Sequence, residues 1–142
     1  MSIPELLFSF RGRVSRRTFW LWNAFYFLMI ITVATLVKKL FPESDSMVLP
    51  TILVLLVIPD LAITAKRWHD RNKSLYWLGL HAPLVLTRFM VPLAGVEHAF
   101  QPTMFQSAMS LSAMACGAWI FAECGLFEGD QKENQYGSCP TR

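Results

Sequence analysis

The chain has 142 residues, 54% of them hydrophobic and only 16% charged, with a mean hydropathy of +0.37 and a formal net charge of +3. Typical soluble chains carry about 25% charged residues, and a domain this small has too much surface to cover with so few. The balance excludes an ordinary soluble globule and points to a single integral membrane domain over 1–142.

In residues 1–18, Ile3, Leu6, Leu7, Phe10 and Val14 recur at helical spacing, and Arg11, Arg13, Arg16 and Arg17 begin where that stripe ends. An apolar stripe beside a basic cluster reads as a short amphipathic helix in the membrane interface, its arginines at anionic headgroups. The other reading is that the stripe packs on the end of the chain's own helix bundle. No short apolar core followed by a small-residue cleavage site is visible, so no cleaved leader is expected.

A helix rising ~1.5 Å per residue needs about 20 apolar residues to cross a ~30 Å hydrocarbon layer. Four windows suit that length. Residues 19–37 carry no charge, and 47–65 carry only Asp60. Residues 75–96 hold His81, Pro83, Arg88 and Pro92, while 103–122 are rich in Ala, Ser, Met and Gly, which suits close packing within a bundle. The expected fold is therefore all-α: four transmembrane helices, an interfacial N-terminal helix, and a tail over 123–142. With the N-terminus inside, the cytoplasmic segments hold ten Lys and Arg against Lys38 and Lys39 outside. Cationic side chains are retained on the cytoplasmic side, so both termini are expected there. Cys116, Cys124 and Cys139 lack the paired spacing of a zinc site and read as free thiols.

Among the polar residues inside these windows, Asn23, Asp60, His81 and Arg88 are singled out. Asp60 and His81 lie five and six residues from the inner ends of their spans, so both sit ~8–9 Å deep. An ionisable residue in a span is costly and is a functional hypothesis by default. The sharp version is a proton or ion relay through this pair. The bland one is a buried polar layer, or Asp60 reaching Arg67 along its own helix. Arg88, ~20 Å from the inner end, is expected to snorkel outward.

Three polar motifs lie outside the spans. The first runs from Phe8 to Trp20 and contains Gly12, Arg13, Ser15 and Arg16. The second runs from Lys66 to Trp77 and contains Arg67, His69, Asp70 and Ser74, and the third contains Asn134, Tyr136 and Gly137. All three fall on the expected cytoplasmic side, where Arg13 or Arg16 facing Asp70 would staple the N-terminal segment to the middle loop. Ser74 or Asn72 is expected to cap the third spanning helix. Together, in this order, the motifs resemble the YhaH-like family of small bacterial inner-membrane proteins, a domain of unknown function, over essentially the whole chain. The resemblance implies multi-pass topology and a place in the bacterial inner membrane.

No chemistry stands out. His69 and Asp70 invite comparison with metal phosphohydrolases, but the other histidines, His81 and His98, are expected in the membrane and on its opposite face. Phosphate-cradling glycine loops and a Gly-X-Ser-X-Gly elbow are absent. The aromatics among the N-terminal arginines read as an interfacial belt, not a nucleic-acid surface. The expectation is a non-enzymatic partner, subunit or regulator of a membrane complex, without catalytic residues, metal or cofactor. Its expected partners are the bilayer, anionic inner-leaflet headgroups, and a membrane protein or further copies of itself. Two alternatives stay open: an oligomeric transporter or channel for a small solute, ion or proton, and an inner-leaflet enzyme acting on lipid or phosphate.

Overall fold

A computed structural model describes residues 2–42, 45–90 and 103–140, at backbone level alone for 45–47 and 88–90. Helix α1, Ile3–Phe8, begins with a capping box: Ser2 Oγ accepts from the Glu5 N–H, and the Glu5 carboxylate accepts from the Ser2 N–H. Gly12 adopts φ +93°, a conformation open to glycine, and the chain breaks here instead of running as one helix through 18. The N-terminal stripe is accordingly divided. Leu6 and Leu7 pack on the core and Val14 is buried in it, whereas Ile3 and Phe10 remain exposed.

Ser15 then caps α2, Arg16–Leu40, by accepting from the Thr18 N–H. At ~1.5 Å per residue its 25 residues extend roughly 37 Å, and Lys38 and Lys39 complement the helix dipole in its last turn. One face buries Phe19, Trp22 and Tyr26, while Leu21, Phe25, Phe27, Leu28 and Ile31 are bare. Such an inversion is what lipid or another helix, not water, would solvate. Helix α3, Asp45–Asp70, contains Pro50 and Pro59 and is buried continuously over its last nine residues, from Ala62 to Asp70.

The third expected span starts differently. Leu75–Leu80 is a 3-10 turn, and α4, His81–Met90, follows it. Pro83 has no N–H to give the Gly79 carbonyl, which instead accepts from His81 together with the Leu78 carbonyl. Ser74 precedes the turn without a side-chain capping bond, contrary to expectation. The positions 91–96 of that span lie outside the described residues. Helix α5, Met104–Ile120, opens with a Thr103–Gln106 capping box and continues as a π-helical turn, Phe121–Leu126, so helix persists beyond the expected boundary at 122.

Among the described residues, three helices are long and apolar enough to cross a membrane, not four: Arg16–Leu40, Val48–Asp70 and Met104–Leu126. Helix α4 packs on α5, where the Leu84 side chain comes within 3.6 Å of where a Gly117 Cβ would be. The larger core cluster joins Val14, Phe19, Trp22, Tyr26, Ile63, Trp68, Ile120 and Cys124, and gathers the helix ends that carry the polar motifs.

Candidate functional site

The last helical turn, Phe121–Leu126, and the irregular chain that follows it to 137 leave carbonyls that must find donors elsewhere or stay unsatisfied. Arginine and tryptophan side chains from the first two motifs supply them. Arg67 Nε donates to the Cys124 carbonyl at 2.8 Å and Nη2 to Phe127 at 2.6 Å. Trp20 Nε1 donates to Gly125 at 3.0 Å, Arg16 Nη1 to Leu126 at 2.9 Å, and Arg71 Nη1 to Glu128 at 2.6 Å.

Arg13 and Asp70 stand at the centre. Asp70 Oδ1 accepts from Arg13 Nε at 3.1 Å and Nη2 at 2.8 Å, while Oδ2 accepts from Arg67 Nη1. Arg13 Nη1 donates to the Lys132 and Gly137 carbonyls at 2.8 and 3.0 Å, and Nη2 also donates to Asp130. All five guanidinium N–H groups therefore have acceptors. Arg13, Arg67 and Asp70 are 5% exposed or less, and two cations share one carboxylate out of water. The Asp70 backbone carbonyl accepts from the Asp130 N–H at 2.7 Å. This brings the chain so close that a Cβ on Gly129 would sit 1.7 Å from Asp70 Oδ2.

Around this centre, Asn134 Nδ2 donates to the His69 carbonyl at 3.0 Å, and its Oδ1 accepts from the Tyr136 N–H at 3.0 Å. The Tyr136 ring stacks on the His69 imidazole with centroids 3.8 Å apart. Gly137, at φ +123°, closes the turn by pairing with Asn134. His69 Nδ1 lies 3.2 Å from the Gly12 carbonyl. Gly12, Arg13, Arg67, His69, Asp70, Asn134, Tyr136 and Gly137 thus form one contact network, with Arg16 at its edge. Ser15 serves the α2 cap, and Ser74 lines a pocket wall and accepts at its carbonyl from the Trp77 N–H.

Three participants carry no strong sequence signal. Lys66, fully buried at the end of an apolar run, donates through Nζ to the Glu5 and Leu6 carbonyls at 2.7 and 2.6 Å and so holds α1 to α3. Glu123 bridges Arg71 at 3.1 Å and Lys73 at 2.9 Å, which ties the end of the last helix to the loop after α3. Gly129 is one of seven scattered glycines whose role appears only in three dimensions.

The polar residues expected within the spans form a second grouping. Asn23, Asp60, Thr64 and His81 line a cavity of about 350 Å³ whose other walls include Phe19, Trp20 and Tyr26. Asp60 Oδ1 accepts from Trp22 Nε1 at 3.2 Å, and Asn23 Nδ2 donates to the Phe19 carbonyl at 2.8 Å. Arg67 directs its guanidinium to the tail and Asp70, away from the arrangement in which Asp60 is its partner. Arg88 lies in α4, and its side chain and His98 fall outside the described residues. Among the described residues, no three His, Cys, Asp or Glu side chains are grouped so as to hold a metal ion.

The comparisons with known proteins cover nearly the whole chain. The family model described as "Protein of unknown function (DUF805)" matches residues 7–138, from α1 to the tail turn. Two relatives, each named "Uncharacterized protein YiiR", come from Escherichia coli strain K12 and Escherichia coli O157:H7. Each is 35% identical over 138 residues, 96% of this chain and 89% of the relative. No solved structure matches the chain. The motif resemblance thus holds at the level of a domain-of-unknown-function family, and the chain belongs to the DUF805 family.

Proposed function

We propose that this protein is a multi-pass bacterial inner-membrane protein of the YhaH-like kind, with four spans and both termini cytoplasmic, acting as a non-enzymatic partner, subunit or regulator of a membrane complex. The observation that carries the reading is how the polar side chains are used. Arg13, Arg67 and Asp70 are buried and bonded to the chain's own tail and loops, an arrangement that commits these side chains to building one end of the fold. What remains for intermolecular contact is the outer surface of the helices, where large apolar side chains of α2 and α5 such as Phe25, Ile31, Phe105 and Trp119 are bare. The fourth span would be the 3-10 turn, α4 and the residues that follow it.

Purification in mild detergent with mass measurement of the intact assembly tests this reading. A different protein retained in fixed stoichiometry is the expected result, and a chain recovered alone as a monomer would overturn it. Reporter fusions after Lys39, Lys73, His98 and Arg142 should read outside, inside, outside, inside, and a periplasmic C-terminus would refute the topology.

A second reading, an ion or proton path, is favoured by one observation: Asp60 and His81 line the same cavity among apolar walls. A closed homo-oligomer in the same purification would support it over the first.

A further inference from the structure

A second cavity, of about 860 Å³, lies between the loop after α1, the 3-10 turn and the tail. Its volume is within the roughly 300–1,000 Å³ of small-molecule sites. The φ +93° conformation at Gly12 separates two arginines. Arg13 is buried, whereas Arg11 is exposed, lines this cavity, and has no carboxylate partner among the described residues. Ser74, on the facing wall, makes no capping bond, so its hydroxyl is not committed to the 3-10 turn.

His69 supplies the third group. Its Nδ1 faces the Gly12 carbonyl, which can only accept, so Nδ1 carries the hydrogen. In the neutral ring Nε2 is then an acceptor. It is buried and has no hydrogen-bond partner among the described residues, in a residue 3% exposed that forms part of the cavity wall. An unsatisfied buried polar atom beside a cavity is the sort of exception that calls for a ligand. The walls between these groups are aromatic, from Phe10, Tyr136 and the almost fully exposed Tyr76. Phe10 on one side and Leu75 on the other line the cavity and leave apolar side chains bare there.

We infer that this cavity binds the headgroup of an anionic phospholipid bearing a free hydroxyl, of the phosphatidylglycerol type. The phosphate meets Arg11 and the Ser74 hydroxyl, and the headgroup hydroxyl donates to His69 Nε2. The bare apolar side chains at the rim lie against the acyl chains. The excess of cations in the N-terminal segment selects a net negative lipid over a zwitterionic one. The site rests on the membrane placement proposed above, though not on which face is cytoplasmic, since a nanodisc presents the same lipid on both.

The test is intact-mass measurement of the full chain released from nanodiscs of dioleoyl phosphatidylglycerol mixed equally with the phosphatidylcholine or phosphatidylethanolamine analogue. The wild type should retain one phosphatidylglycerol per chain with about tenfold preference, equivalent to about 1.4 kcal/mol. Arg11→Gln with Ser74→Ala should abolish that preference with the thermal melt unchanged, because Arg11 is exposed and Ser74 makes no cap bond. His69→Phe, which keeps the stack on Tyr136, should lower it. Equal retention of the three lipids, or undiminished preference in the double variant, would overturn the site. So would displacement of the lipid by equimolar glycerol 3-phosphate, which would mark a site for soluble phosphate. A chain that does not enter nanodiscs would instead refute the membrane reading itself.

Discussion

Arg13 and Asp70, 57 positions apart in the chain, meet through two hydrogen bonds of 3.1 and 2.8 Å to a single carboxylate oxygen. Arg67 holds the other oxygen, so Asp70 neutralises part of two buried cations at once. The pairing fixes where the first loop, the end of α3 and the tail stand relative to one another.

Removing the charge from Asp70 should therefore be severe. Asp70→Asn keeps the size but leaves Arg13 and Arg67 buried without a counter-charge, and breaking a buried pair by one partner costs about 3–5 kcal/mol. A thermal melt in detergent should fall steeply, and a melt within a degree of the wild type would contradict this.

Gly129→Ala is expected to dislodge the tail. The new methyl would overlap Asp70 Oδ2, so either the carboxylate or the 127–130 backbone has to move. Protease should then cut within the tail faster than in the wild type, whereas Gly79→Ala, which meets nothing within 4 Å, should leave the cleavage rate as it was.

Lys66→Met should free α1. The ammonium that holds the Glu5 and Leu6 carbonyls is lost, and hydrogen bonds to charged groups are worth about 1.5–3 kcal/mol. Amide exchange over 3–8 should quicken while that of α5 is unchanged; uniform quickening of both would point to global unfolding instead.

Asp60→Asn separates the two readings of the cavity lined by Asp60 and His81. Asparagine keeps an acceptor for Trp22 Nε1 and removes a charge that is expensive in a low dielectric, so the chain should be as stable or more so. A proton-flux measurement in liposomes, run beside the melt, should give the same value for the variant and the wild type. Lost flux with an unchanged melt would establish the relay.

Much of this was legible in the sequence because it depends on long periodic signals. The apolar windows are long, and the windows at 19–37 and 47–65 fall inside α2 and α3. The three polar motifs could be placed at one end of the molecule because two adjoin apolar windows and the third lies in the tail that follows the last one. Less legible were features that depend on single contacts across the fold. Gly129 is demanded by a carboxylate 59 positions away, and Lys66 by carbonyls of a helix at the other end of the chain. The stripe from Ile3 to Val14 reads as one helix only while the backbone at Gly12 is unknown. The pairing of Asp60 with Trp22 needed the rotation of α2 against α3, which apolar content alone does not define.

The claim on which the rest stands is that the first loop, the end of α3 and the tail are one bonded unit centred on Arg13 and Asp70. A double-mutant cycle with Arg13→Gln and Asp70→Asn, read as unfolding free energy in detergent, tests it most directly. Residues in one buried network couple by about 0.5–3 kcal/mol, and a value near the upper end is expected here. Additivity within about 0.3–0.5 kcal/mol, as for independent sites, would contradict it.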